Sequence, residues 1–463
     1  MQLPSSLINS LLSAKGFDEK AFKQVHESGE QITSIRINPN KIFDTQCSQL
    51  IAHSSQLSHL EKISWSANGF YLPQRPSFTL DPLFHAGAYY VQEASSMFLE
   101  EALKQTVDLT KPLRVLDLCA APGGKSTLIQ SIISANSLLI SNEVIKTRVN
   151  ILAENITKWG AANVIVTNND PADFQRLENY FDVIVVDAPC SGSGLFRKDP
   201  SAIEEWSEQN VQLCSQRQQR ILADIMPSLK SGGVLIYSTC SYSAAEDEEI
   251  TDWLIQNCQL SSLNFQLDTA WNIVETISPQ HNGYGYRFYP DKLKGEGFFI
   301  AAFRKGEATD DDHGHRQKNK QQKFPANEIG IIKPYLKDTD GLFFIKQNEE
   351  VIALPLEFEN ELALIQSALY IKKAGVKLGT VIRNELIPHH ELALSTIIAA
   401  GVRRIAIDKD TALQYLRRSV MELETTDTGW ALIIHEQLPL GWVKILPNRI
   451  NNYYPAAWRI LNK

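Results

Sequence analysis

The 463-residue chain contains no C-x-x-C pair, its six cysteines standing alone at 47, 119, 190, 214, 240 and 258. That spacing argues against a cysteine zinc site or a dithiol redox motif and is consistent with free thiols in a reducing compartment. No apolar run approaches the roughly 18 residues of a membrane-spanning helix. The amino-terminal MQLPSSLINSLLSAKG has no basic start and its apolar residues are interrupted by Ser and Asn, so no secretory signal is expected. A formal net charge of −8 does not itself point to nucleic acid, because phosphate binding depends on local basic patches that a mean charge hides. With 43% hydrophobic and 21% charged residues the composition excludes a disordered chain. The expectation is a cytoplasmic monomer of about three domains, without membrane or metal.

The clearest boundary is 306–323, GEATDDDHGHRQKNKQQK, where Ala308 is the only apolar residue, so the stretch reads as a linker. Before it, 111–305 alternates short apolar runs with longer amphipathic segments, the pattern of an α/β domain with a mostly parallel sheet. Strands are predicted at Leu113 to Leu118, Leu138 to Ser141, Val164 to Thr167, Asp182 to Asp187 and Val234 to Ser238. Val211, Cys214, Ile221, Leu222, Ile225 and Leu229 recur at helical spacing, and Gly232-Gly233 is read as the end of that helix. Residues 1–110 form a mixed α+β amino-terminal region with a helix predicted from about Gln92 to Lys104, and 324–463 a separate carboxy-terminal unit.

The first strand runs into Cys119-Ala120-Ala121-Pro122-Gly123-Gly124-Lys125-Ser126 at the start of a helix. Small residues there let the backbone approach a ligand. A P-loop requires Gly five positions before Gly124, where the chain has Cys119, so a nucleotide phosphohydrolase is only the runner-up. Glu143, at the tip of the second strand and 26 positions after Asp117, is suited to accept hydrogen bonds from both hydroxyls of a ribose. Beyond the third strand, Asn168-Asn169-Asp170 offers a carboxamide or carboxylate to an adenine edge. Each acid alone would be an ordinary turn residue. Three polar strand tips in succession point to an adenosine-containing cofactor, because open sheets bind at the carboxyl ends of their strands.

The fourth strand ends Asp187-Ala188-Pro189-Cys190-Ser191-Gly192 and the fifth Ser238-Thr239-Cys240-Ser241. Free cysteines are usually inert and buried, but these two lie in polar, turn-rich loops beside the expected crevice. Methylation of cytosine at carbon 5 would use such thiols, since that carbon is too weak a nucleophile until a thiolate adds at carbon 6. Asp187 beside the pyrimidine could hold its ring nitrogen or amino group. The residues themselves do not say which thiol attacks.

Together these stretches resemble the Sun (Fmu) family of S-adenosylmethionine-dependent RNA cytosine-5 methyltransferases, and its RsmF branch most. Further family-like segments are Ser34 to Asn38, Ala86 to Glu93 and Gly295 to Phe299. The resemblance implies a Rossmann-like methyltransferase domain with S-adenosylmethionine held by Cys119, Ala120, Ala121, Pro122, Gly123, Gly124, Lys125, Glu143, Asp170 and Asp187. It implies Cys240 as the nucleophile, Cys190 in release of the covalent intermediate, and catalytic roles for Asp187 and Lys125. A solvated lysine at the helix start is the plain alternative for Lys125. Leu438 to Lys444 and Asn451 to Pro455 look like the end of a PUA-like RNA-binding domain. The expected substrate is ribosomal RNA, free or within an assembled small subunit, with tRNA and a noncatalytic RNA-binding scaffold as alternatives. Lys444, Arg449, Arg459 and Lys463, set among aromatics, are candidate RNA contacts, as are Arg36 and Lys41; the alternative is a small β core with Trp442 and Trp458 buried.

Overall fold

The computed structural model describes residues 3–42, 60–307, 324–423, 425 and 427–461. Cys47, Lys463 and all of the expected linker except Gly306 and Glu307 lie outside the described residues.

The largest sheet has ten strands, numbered here in chain order: β1 Arg114–Asp117, β2 Leu138–Asn142, β3 Val164–Thr167, β4 Phe181–Asp187, β5 Leu229–Thr239, β6 Leu260–Leu263, β7 Val274–Ile277, β8 Tyr284–Phe288, β9 Phe298–Lys305 and β10 Ile371–Ala374. Their order is β7-β8-β9-β5-β4-β1-β2-β3-β10, with β6 also paired to β9. The five central strands, β5-β4-β1-β2-β3, are parallel, and the flanking pairs are antiparallel. The apolar runs form strands because both faces are covered. Leu116, Ile140, Ile165 and Ile184 enter the core on one face, and Val115, Leu139, Val166 and Val185 the core on the other. Each such side chain contributes about 1.5–3 kcal/mol on burial. The chain leaves β1 outward through β2 and β3, then returns to the other side of β1 as β4. That reversal opens a crevice at the carboxyl ends of β1 and β4, where such sheets bind ligands.

Three local expectations are corrected. The long helix, Glu208–Ile225, is capped by the Ser207 hydroxyl and gives way at Pro227 to a short 3-10 turn, Met226–Ser228. Leu229, expected on that helix, therefore opens β5, and Gly232 and Gly233 lie inside the strand, where Gly232 takes φ +72° at a register shift, and do not end the helix. The helix expected from Gln92 begins as a 3-10 turn, Ser95–Phe98, and continues as Leu99–Thr106.

The carboxy-terminal residues do not stand apart from this sheet. Strand β10 extends it beside β3, and Phe343, Ile352, Leu354, Leu362 and Ile365 fill the same core as Leu116 and Ile184. Glu361 accepts from Tyr180 at 2.5 Å and pairs with Arg114 at 2.5 Å. The amino-terminal four-stranded antiparallel sheet, ordered Glu61–Lys62, Gly69–Leu72, Thr33–Ile37, Tyr89–Val91, shares a core with the far end of the chain. Ile35, Leu83 and Tyr89 pack with Tyr415, Ile433 and Tyr454.

Several of the candidate RNA contacts are structural. Arg36 is buried and stacked on Trp159, donating to Gln92 at 2.9 Å, the Gly124 carbonyl at 3.2 Å and Thr127 Oγ1 at 2.6 Å. Lys41 donates to the Ala86 and Lys158 carbonyls at 2.8 and 2.6 Å. Lys444 pairs with Glu385 at 2.8 Å, and Trp442 is fully buried. Trp458 packs edge-on to His390 and beneath Lys158.

Candidate active site

The loop after β1 is held from every side. Leu118 donates its N–H to Val185 in β4 and Ala120 to Asn142 in β2, while Arg148 and Asn155 reach the Ala121 and Pro122 carbonyls at 2.6 and 2.8 Å. Gly123 takes φ +116° to open the helix Gly124–Ile132, a conformation that favours glycine. A Cβ on Gly124 would stand 3.3 Å from the Tyr90 ring, so bulk at this turn is excluded. Cys119, within the loop, stays a thiol because burial and the carboxylates of Asp117, Asp187 and Glu143 raise its pKa.

Four carboxylates ring the crevice. Asp117 is fully buried; one oxygen accepts from Ser126 at 2.6 Å and the other, Oδ1, has no hydrogen-bond partner. Burial pushes its pKa up to about 7 against the opposing Ser126 hydrogen bond and Lys125 charge. Glu143 accepts the Ile145 N–H at 2.8 Å and lies 3.5 Å from Arg148. Asp170 accepts the Ala172 N–H at 3.2 Å as the cap of the 3-10 turn Pro171–Arg176, 3.5 Å from Arg220. The neighbouring carboxamides are engaged with backbone, which leaves the Asp170 carboxylate as the group of Asn168-Asn169-Asp170 for an adenine edge. Asn168 donates to the Glu143 and Val144 carbonyls, and Asn169 both donates to and accepts from the backbone of Tyr370.

Asp187 binds the Lys125 ammonium at 2.7 Å and the Ser238 hydroxyl at 2.8 Å. Lys125 is not a solvated lysine: its side chain is 12% exposed and lies 5.2 Å over the Phe298 ring. Burial opposes its charge, but Asp187, with Asp117 and Cys240 beyond, outweighs burial and holds its pKa above the ordinary value.

The two loop thiols meet. Because β4 and β5 run parallel with Asp187 beside Ser238, the next residues of each strand converge, and Cys190 Sγ lies 3.0 Å from Cys240 Sγ. Both residues are partly exposed. The pKa of Cys190 is raised well above the thiol range, first by its hydrogen bond to Cys240, then by burial and the charges of Cys240 and Glu246. The remaining described cysteines, Cys214 and Cys258, lie on helices.

Two acids absent from the sequence-based site are present in the structure. Asp117 had a signal, an acid ending an apolar strand just before the glycine loop. Glu246 had none: it lies in the 3-10 turn Ala244–Glu246 and accepts hydrogen bonds from Ser191 and Ser241, the residues that follow the two thiols.

These residues fit S-adenosylmethionine: a glycine-opened helix start for the amino-acid end, carboxylates at successive strand tips for hydroxyls and cations, and an orphaned buried oxygen of Asp117 at the strand end that leads into the same loop. Comparison with known proteins agrees. The family described as 16S rRNA methyltransferase RsmB/F matches residues 104–304, the N-terminal domain of 16S rRNA methyltransferase RsmF matches 3–94, and the methyltransferase RsmF PUA domain matches 402–460. The chain is 29% identical to the ribosomal RNA small subunit methyltransferase F of Shewanella piezotolerans over 438 residues, covering 91% of this chain and 90% of that one. For its counterpart in Aeromonas salmonicida the figures are 29%, 91% and 90% over 440 residues. Among solved structures, a methyltransferase homolog protein from Pyrococcus horikoshii is 26% identical with a TM-score of 0.53, covering 65% of this chain and 100% of that chain. NSun6 from the same organism, solved with SFG, shares the fold at 19% identity and a TM-score of 0.54, over 66% of this chain and 99% of that chain. The chain belongs to the RsmB/F family of S-adenosylmethionine-dependent methyltransferases, with the amino-terminal and PUA domains of its RsmF branch.

Proposed function

We propose that the protein methylates carbon 5 of a cytidine in small-subunit ribosomal RNA through a covalent bond between Cys240 and carbon 6. The observation that carries this reading is the 3.0 Å approach of two thiols beside Asp187 and the glycine loop. Bound S-adenosylmethionine would supply an electrophilic methyl group on a sulfonium, whose sulfur keeps the electron pair of the broken bond and leaves as a neutral thioether. Cys119 to Lys125, Glu143, Asp170 and Asp187 would hold it.

Cys240 attacks as the thiolate, with the Lys125 ammonium contributing a positive field at its sulfur. Addition to carbon 6 leaves an electron pair at carbon 5, which forms the new bond to methyl. Asp187, fixed by Lys125 and Ser238, meets the amino edge of the pyrimidine and steadies charge in the adduct. Cys190 then has the proton transfer of the release step. The largest cause of its raised pKa is Cys240 itself. Once Cys240 is a thioether its charge no longer opposes ionisation of Cys190, whose proton passes to water, and the Cys190 thiolate takes the proton from carbon 5. The carbon–sulfur bond breaks, the ring double bond re-forms, and Cys240 leaves as the thiolate. Attack from above the ring requires the target base to leave its stack.

In this reading 1–110 is an RNA-binding region, 111–305 the catalytic domain, 306–323 a linker and 324–463 a carboxy-terminal region ending in the PUA-like unit. The protein works as a cytoplasmic monomer without a metal; among the described residues no helix is long and apolar enough to cross a membrane. The test is methyl transfer from labelled S-adenosylmethionine to small-subunit RNA, with bisulfite mapping of RNA from cells lacking the protein. The expected result is one lost 5-methylcytidine in those cells and none formed by Cys240→Ala. Methylation at another atom, or full activity of Cys240→Ala, would contradict the proposal.

A further inference from the structure

Chemistry at two thiols on different loops needs something to keep the loops in register, and β4 and β5 end before either sulfur. Beyond the strands the loops also touch directly, the Gly194 N–H donating to the Cys240 carbonyl at 2.8 Å and the Tyr242 N–H to the Ser193 hydroxyl at 2.9 Å, and one carboxylate bridges them at the residues next to the sulfurs. Glu246 Oε1 accepts the Ser191 N–H at 2.7 Å and Gln218 Nε2 at 3.4 Å. Its Oε2 accepts the Ser191 hydroxyl at 2.5 Å and the Ser241 hydroxyl at 2.6 Å. Ser191 follows Cys190 and Ser241 follows Cys240, so one carboxylate joins the residues immediately after the two sulfurs. The carboxylate is itself fixed: Tyr237, in β5, donates its hydroxyl to the Glu246 carbonyl at 2.6 Å, and Gln218 also binds the Pro189 carbonyl at 3.0 Å. Glu246 is fully buried, so it does not face substrate.

We propose that Glu246 is the positioning residue of the two-thiol site, a clamp that sets the distance between Cys190 and Cys240 by binding both loops with one carboxylate. Burial disfavours its charge, and four donated hydrogen bonds oppose that penalty. The donor pattern separates a clamp from a charge. Gln at this position places its carbonyl oxygen toward the Ser191 N–H and its NH2 toward the two hydroxyls, which rotate to accept. Both loops stay bridged without the charge. Asp keeps the charge but is one methylene short of spanning the loops.

The assignment rests on the two-thiol reading above. The test compares Glu246→Gln, Glu246→Asp and Glu246→Ala in the full chain, measuring kcat, KM for RNA and S-adenosylmethionine affinity. A displacement of about 1 Å at a reacting pair costs on the order of 100-fold, so Glu246→Ala and Glu246→Asp should lose kcat on that scale while cofactor affinity holds. Glu246→Gln should stay within a few-fold of wild type. A second measurement is the rate at which mild peroxide converts the Cys190 and Cys240 thiols to a disulfide, two thiols losing two electrons and two protons as peroxide becomes water. That rate should fall in Glu246→Ala and recover in Glu246→Gln. If Glu246→Ala does not fold, Ser241→Ala removes one arm of the clamp and should slow both reactions.

An unaltered kcat in Glu246→Ala, a Glu246→Gln as impaired as Glu246→Ala, or a loss of cofactor binding parallel to the loss of kcat would each overturn the clamp alone. If Cys240→Ser still transferred methyl, the two-thiol reading and the clamp would fall together.

Discussion

Asp117 ends β1 as a buried acid with one oxygen unpartnered, and its proton affinity has a consequence for stability. Its folded pKa is raised from 3.8 to about 7, so between those values the folded chain holds a proton that the unfolded chain releases. Asp117 therefore contributes stability below the lower value and loses that contribution as the pH rises through the higher one. In melting experiments across that window, wild type should lose stability with rising pH more steeply than Asp117→Asn. Parallel curves would show that Asp117 titrates normally. At this scale the sequence is legible where chemistry falls at the end of an apolar run, as for Asp187, Cys190 and Cys240. It is silent for Glu246, whose partner Ser191 lies 55 residues away; nothing local distinguishes it from the exposed acids of other turns.

Among elements, the parallel strands were readable because two-sided burial leaves continuous apolar runs such as Val164–Thr167. The run Phe298–Lys305 carries the same signal and was available to the same argument. Strand β10 was not readable: Ile371–Ala374 includes two lysines and acquires its strand character by pairing with β3, about 200 residues earlier. The junction is locked by Asn169, whose carboxamide exchanges two hydrogen bonds with the Tyr370 backbone at 3.0 and 2.9 Å. Asn169→Ala leaves the Tyr370 N–H without this partner and its carbonyl with the Asn168 N–H at 3.2 Å, a loss of about 1 kcal/mol. Urea unfolding should show the midpoint lowered by that free energy divided by the slope, with the slope unchanged. An unmoved midpoint would mean that water replaces the carboxamide without loss.

At the scale of the molecule, the two ends of the chain form one body. Ile35, Leu83 and Tyr89 share a core with Tyr415, Ile433 and Tyr454, and Arg36 ties the amino-terminal sheet to the helix that follows the glycine loop. Periodicity along the chain cannot reveal such contacts, which join residues 88 and 91 positions apart at Arg36 and more than 300 apart in the shared core. The outcome is a sheet flanked by both candidate RNA-binding regions, with two partly exposed thiols just beyond the carboxyl ends of β4 and β5. The most direct test of that account is covalent trapping in full-length single variants mixed with small-subunit RNA and S-adenosylmethionine. Cys190→Ala should form an RNA–protein complex that survives denaturant, because Cys240 adds and is not released, and Cys240→Ala should form none. A stable complex with Cys240→Ala and none with Cys190→Ala would contradict the account.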